Sequence, residues 1–208
     1  MVSTTILPAA ETIPAPTLYH ILNLFTFLLH ILFINVVLGG IILLLAERAG
    51  QRNSILLTPT FISPLNRKLP IILALAINLG VAPLLFVQVL YGPFVITSSI
   101  LMAVFWILII PLLLLAFYGT YINQSFAKKR MWPATAALIF ALVFILYIGF
   151  MFTQNMTLML QPQAWSAYFA EQNGMLLQFQ EPTLWPRYLH FVTASVAIGG
   201  LFSALVWW

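Results

Sequence analysis

The chain has 208 residues, 62% of them hydrophobic and only 6% charged, with a formal net charge of +4. A soluble domain of this size needs far more charge to cover its surface, so the long uncharged runs define an integral membrane protein. The absence of cysteine excludes disulfides, thiolate metal sites, c-type haem attachment and iron–sulfur clusters on this chain.

The opening stretch, MVSTTILPAAETIPAP, has no charged n-region and no short apolar core. It reads as an irregular N-terminal segment over 1–17, broken by Pro14 and Pro16, and not as a cleavable signal peptide. Five segments then follow, at 18–45, 69–90, 95–122, 133–160 and 188–208, each long enough to cross a hydrocarbon core of about 30 Å. In lipid each must be helical, because an exposed strand leaves its backbone polar groups unpaired. The expected fold is therefore all-α, an integral membrane bundle of five transmembrane helices over 18–208. The first segment is longer than the core requires, so it tilts or stands a turn or two into the headgroups.

Basic residues give the orientation. Arg48, Arg52, Arg67 and Lys68 lie between spans one and two, and Lys128, Lys129 and Arg130 between spans three and four. The turn YGPF between spans two and three is uncharged, and the long connection from span four to span five carries Glu171 and Glu181, with Arg187 at its end. The positive-inside rule then places the N-terminus outside and the C-terminus in the cytoplasm. Trp132, Trp165, Trp185, Trp207 and Trp208 fall near the interfaces and read as belt residues. The connection at 161–187 is too polar to span and too aromatic for a plain linker. It is expected to be a folded outer-face loop with a short interfacial helix, either functional or a cap over the bundle.

No Asp, Lys or Arg lies within a span, and no Glu unless Glu47 at a helix end is counted. Transport through a buried ionisable relay is thereby disfavoured. What remains is three histidines and the amides Asn23, Asn35, Asn78 and Gln88. Two histidines, His20 and His30, sit ten residues apart in LYHILNLFTFLLHILFINVVLGG; the third is His190 in RYLHFVTASVAIGGLFSALVWW. Each has a plain explanation in a helix–helix hydrogen bond. Zinc lacks further donors nearby. Haem needs only one or two neutral imidazoles and an apolar cleft, and burial favours the neutral form. Ala194, Ala197 and Gly200 lie close to the His190 face, and Gly39 and Gly40 follow His30; such small residues admit a flat macrocycle or a neighbouring helix. Arg187 is placed to neutralise a haem propionate or to anchor the interface. His30 lies about 15 Å deeper than His20 along one helix. This depth admits His20 and His190 on one iron, with His30 at a second site.

Four stretches resemble subunit I of the cytochrome bd quinol oxidases. FLLHILFINVVLGG is similar to that subunit's first helix, INLGVAPLLFVQVLYG to its second, with a Gly-Val-Ala turn, TQNMTLMLQPQAW to the outer end of its fourth, and EPTLWPRYLHFVTASVAIGG to its fifth. The likeness spans most of the chain but only the N-terminal half of the family's subunit. It implies that His30 is an axial ligand of a high-spin b-type haem and His190 a ligand of a low-spin b-type haem. The family's low-spin haem takes a methionine from a later helix, which has no counterpart here, so His20 or a partner subunit stands in for it. The chain departs from the family in SSILMAVFWILIIPLLLL, which lacks the family's glutamates, and in the missing quinol-binding outer loop and C-terminal helices. The likeness therefore implies the scaffold and haem ligands more than oxidase activity.

The expected role is a b-type cytochrome subunit in a bacterial or archaeal cytoplasmic membrane. It passes electrons between the quinone pool and a partner, a c-type cytochrome or other redox subunit on the outer face. The rival readings are a subunit of a divergent bd-type terminal oxidase and a haem-free membrane anchor of a redox complex. A quinone site near Gln88, Tyr91 and the outer loop competes with interhelical hydrogen bonding by Gln88 and Asn78.

Overall fold

A computed structural model describes residues 17–50, 59–127, 130–170 and 172–207. The N-terminal segment up to residue 16, together with Arg52, Lys128, Lys129, Glu171 and Trp208, lies outside the described residues. The elements are α1 (Thr17–Gly50), α2 (Pro59–Leu101), α3 (Ala103–Phe126), α4 (Met131–Met159), a 3-10 helix (Pro162–Phe169) and α5 (Leu184–Trp207). All five α-helices are long and apolar enough to cross a membrane, and the described residues contain no strand. The all-α reading is therefore right for this chain, and it is a multi-pass membrane protein.

The boundary between the second and third helices is not where the sequence placed it. YGPF is a kink inside α2, not a turn between spans, and α3 begins at Ala103 instead of residue 95. Pro93 has no N–H to offer the preceding turn and its ring crowds that turn, while Tyr91 leaves the helical region at φ −132°, ψ 30°. The helix recovers beyond the kink and breaks only at Met102 (φ −113°, ψ 31°). The Gly-Val-Ala run, Gly80 to Ala82, is also helical and makes no turn.

Packing follows from contacts at the two ends. One end carries Arg48, Arg67 and Arg130 and is called the basic end; the other carries the 160–183 connection and is called the loop end. α1 and α2 run antiparallel, with Tyr19 beside Phe86 and His20 beside Tyr91 toward the loop end, and Gly40 against Leu65 toward the basic end. α3 and α4 form a second antiparallel pair, and α5 lies against α1 and α4. Since lipid tails are as apolar as the side chains, helix association rests on close packing and hydrogen bonds. Two glycine contacts supply the packing. A Cβ on Gly39 would stand 1.8 Å from the Ser195 carbonyl oxygen, so α1 and α5 meet backbone to backbone, with Gly199 on the α5 side. A Cβ on Gly119 would meet the Ala137 carbonyl at 2.8 Å, which shows α3 packed close to α4 as well.

Hydrogen bonds tie the ends. At the basic end Arg48 donates to Thr135 Oγ1 (3.2 Å) and to Asn123 Oδ1 (2.5 Å), and Asn123 Nδ2 donates to Asn66 Oδ1 (2.6 Å). One network thus joins α1, α2, α3 and α4. The loop end is folded, as expected. Its connection bonds onto the α2–α3 break, where the Leu176 N–H donates to Leu101 O (3.0 Å) and the Val104 N–H to Gly174 O (3.1 Å). The second bond satisfies an N–H that the first turn of α3 leaves without an intrahelical acceptor. Gly174 sits at φ +66°, a left-handed conformation that a side chain would strain. Gln154 Oε1 accepts from the Gln178 N–H (3.0 Å), Trp165 Nε1 donates to Leu158 O (2.8 Å), and Gln161 bonds Glu181. Phe150 gathers Phe179, Trp185 and Tyr188 at ring separations of 6.1, 5.5 and 5.2 Å.

Candidate functional site

His30 is the best-defined of the three histidines. Its half-buried ring faces α2, where Nδ1 lies 2.9 Å from the carbonyl oxygen of Ala76. A carbonyl only accepts, so Nδ1 carries the proton and donates. Nε2 is then the unprotonated nitrogen, with its lone pair available. Gly80, one turn beyond Ala76, makes room: a Cβ there would lie 2.7 Å from Cε1 and 2.8 Å from Nδ1. The ring is seated in a notch that only a glycine leaves open. Asn23 and Thr26 precede His30 by seven and four residues on the same side of α1. The Thr26 hydroxyl donates to Leu22 O (2.7 Å), while the buried Asn23 Oδ1 has no partner among the described residues.

His20 and His190 stand apart from this seat. His20 is exposed near the loop end of α1, its ring 6.5 Å from that of Tyr91 at the α2 kink. His190 is exposed on α5. It precedes Gly199, the α5 residue in contact with α1, by nine residues, which is about two and a half helical turns. His190 therefore points to the opposite side of α5 from α1. Because α1 and α5 run parallel, the Gly39–Gly199 contact also sets depth. His30 and His190 each lie nine residues toward the loop end from it, and His20 lies a further ten residues out. No hydrogen bond or ring contact joins any two of the three histidines among the described residues.

Arg187 is half-buried near the start of α5, donating to Thr157 Oγ1 on α4 and to Thr183 Oγ1, each at 3.2 Å. It anchors α5 to α4. The guanidinium has five N–H donors, so three remain for an anion. Of the small residues near His190, Ala197 is exposed and Gly200 has nothing within 4 Å of a built Cβ, whereas Gly39 and Gly40 are packed against α5 and α2. Gly199, which the sequence reading passed over, makes the helix contact. Ala76 and Gly80 were also passed over as the His30 seat. Their only signal was one pair of small residues four positions apart in ALAINLGVAP, which fits many helix contacts.

The donor chemistry of His30 fits a b-type haem. A ligating histidine characteristically gives its second ring N–H to a carbonyl, which fixes the tautomer and the ring plane. Two cavities that border the helices, about 270 Å³ between α2 and α3 and about 180 Å³ among α1, α2 and α5, have no histidine in their lining. The three histidines therefore stand outside those two cavities. Comparison with known protein families, curated proteins and solved structures finds no match for this chain.

Proposed function

We propose that this chain is the haem-bearing membrane subunit of a redox complex, a b-type cytochrome that carries electrons between the quinone pool and a redox partner. The observation that carries this reading is the His30 seat: Nδ1–H spent on the Ala76 carbonyl, Nε2 left as a lone-pair donor, and the ring held by the Gly80 notch. A bound haem supplies the one-electron couple. The chain's share is to present Nε2 of His30, to hold the ring plane through α2, and to offer His190, His20 and the remaining Arg187 donors at the surface. The second wall of the haem site belongs to another membrane subunit. On the positive-inside rule, the basic end faces the cytoplasm of a bacterial or archaeal cell. The partner that exchanges electrons, a c-type cytochrome or another redox subunit, then docks on the outer face.

The test is a dithionite-reduced minus oxidised spectrum of the purified complex, with pyridine haemochrome quantitation per copy of the chain and b and c signals resolved. One or two b haems per chain, lost in part on His30→Ala, is the expected result. Absence of b haem retires all three histidines as ligands.

A second reading, a haem-free anchor, is favoured by one observation. The His30 hydrogen bond to α2 is already a complete helix–helix contact of the ordinary kind. The same spectrum decides between them. An oxidase role for the chain alone has less support, since α3 contains no acidic residue to deliver protons for dioxygen reduction.

A further inference from the structure

The kink that displaces the α2–α3 boundary also creates a cavity. Between α2 on both sides of Tyr91 and the first turns of α3 lies a groove of about 270 Å³, with Gln88, Ser99 and Trp106 as its polar lining and Val95, Ile100 and Ala103 among its apolar residues. The loop-end connection lies beside it: Gly174 packs against Ala103, where a Cβ would meet the alanine methyl at 3.3 Å. Ile96, Ile100 and Ile107 are each more than half exposed along the groove.

The lining selects a chemistry. It contains no charged side chain, so a phosphate, carboxylate or ammonium group would enter a low-dielectric site without a counter-charge, at a prohibitive cost. It is rich in donors. The Gln88 amide and the Trp106 indole N–H have no hydrogen-bond partner among the described residues. The Ser99 hydroxyl oxygen accepts from Asn155 Nδ2 (3.2 Å), which leaves its own proton to give. Trp106 is held edge-on by Phe152 at 5.0 Å, so its ring is fixed. Unused donors in an uncharged cleft call for carbonyl acceptors. At about 270 Å³ the groove is slightly below the roughly 300 Å³ at which small-molecule sites begin, so it takes a head and leaves the tail in lipid.

We propose that this groove binds the head of an uncharged, carbonyl-bearing amphiphile. The carbonyl oxygens accept from Gln88 and Trp106, and the tail runs out past the exposed isoleucines. Two membrane molecules share that chemistry, a lipid-soluble quinone and the acyl-ester region of a bilayer lipid; the quinone source rests on the redox role proposed above. Tyr91, paired with Gln88 at the sequence level, is not part of the lining and faces His20 instead.

The test is photolabelling of the full chain in its complex with two probes, an azidoquinone and a photoactivatable diacylglycerol, followed by mapping of the labelled peptides. The expected result is labelling at residues 95–107 by one probe, competed by excess unlabelled compound of the same class and reduced about tenfold in Gln88→Leu and Trp106→Phe, a loss of one hydrogen bond to a sequestered acceptor. The probe that labels names the source. Trp106→Phe keeps the ring against Phe152, and wild-type competition needs no variant, so a misfolded mutant does not hide the answer. No competable label at 95–107, or label unchanged in both variants, overturns the site. Haem content measured on the same samples separates the claims: label without haem retires the cytochrome and keeps the groove, and haem without label does the reverse.

Discussion

Gly80→Ala tests the link between packing and chemistry at His30. The new methyl group would stand 2.7 Å from the imidazole Cε1 and 2.8 Å from Nδ1, against ordinary contact that begins near 3.4 Å. The ring must withdraw by about 0.7 Å, which carries the 2.9 Å bond from Nδ1 to the Ala76 carbonyl to roughly 3.6 Å, no longer a hydrogen bond. Within a membrane such a bond contributes about 0.6 kcal/mol on average and at most about 1.7 kcal/mol, so the helix pair weakens but persists. The larger effect is on the imidazole, which loses the group that fixes its tautomer. The readout is the ¹⁵N spectrum of histidine-labelled protein in detergent. Wild-type His30 should show a protonated Nδ1 and an unprotonated Nε2, and Gly80→Ala should show averaging of the two tautomers. Loss of this outer partner should weaken haem retention by roughly 10- to 100-fold where haem is bound. Gly200→Ala is the control, since nothing lies within 4 Å of its Cβ. A wild-type tautomer signature in Gly80→Ala would refute the claim that the glycine notch seats the ring.

Three further outcomes are expected. His30→Ala should abolish a b-type signal, whereas His30→Gln should keep the fold without ligating iron; spectra and thermal unfolding of both variants separate the two roles. Gly39→Val should force α1 from α5, because its Cβ falls at 1.8 Å from the Ser195 carbonyl, and the overpacking cost of about 1–3 kcal/mol should appear as a lower unfolding midpoint that Gly200→Ala does not share. At the basic end, Arg48→Ala, Asn123→Ala and the double variant form a cycle; a coupling of about 0.5–2 kcal/mol in reversible detergent unfolding is expected, and simple additivity would show that the 2.5 Å contact contributes little.

What the sequence determined by itself is the class of molecule and the number of its helices. Long uncharged runs can satisfy their backbones in lipid only as helices, so five apolar segments become five helices whatever their neighbours do. The same logic limited the boundaries. A Gly-Pro pair reads as a turn, yet a lipid-embedded helix can kink and resume, and the true break at Met102 depends on Gly174 and Leu176 arriving from 70 residues away to bond the exposed backbone. Three histidines were visible as expensive residues in apolar surroundings, but their facing was not. That depends on the rotation and depth of each helix, set by Gly39 meeting Gly199 and by His30 meeting Gly80. Those contacts give His30 a half-buried seat on α2 and turn His190 to the far side of α5. Periodicity places a residue on one side of its own helix; only the packing of small residues between helices decides what that side confronts.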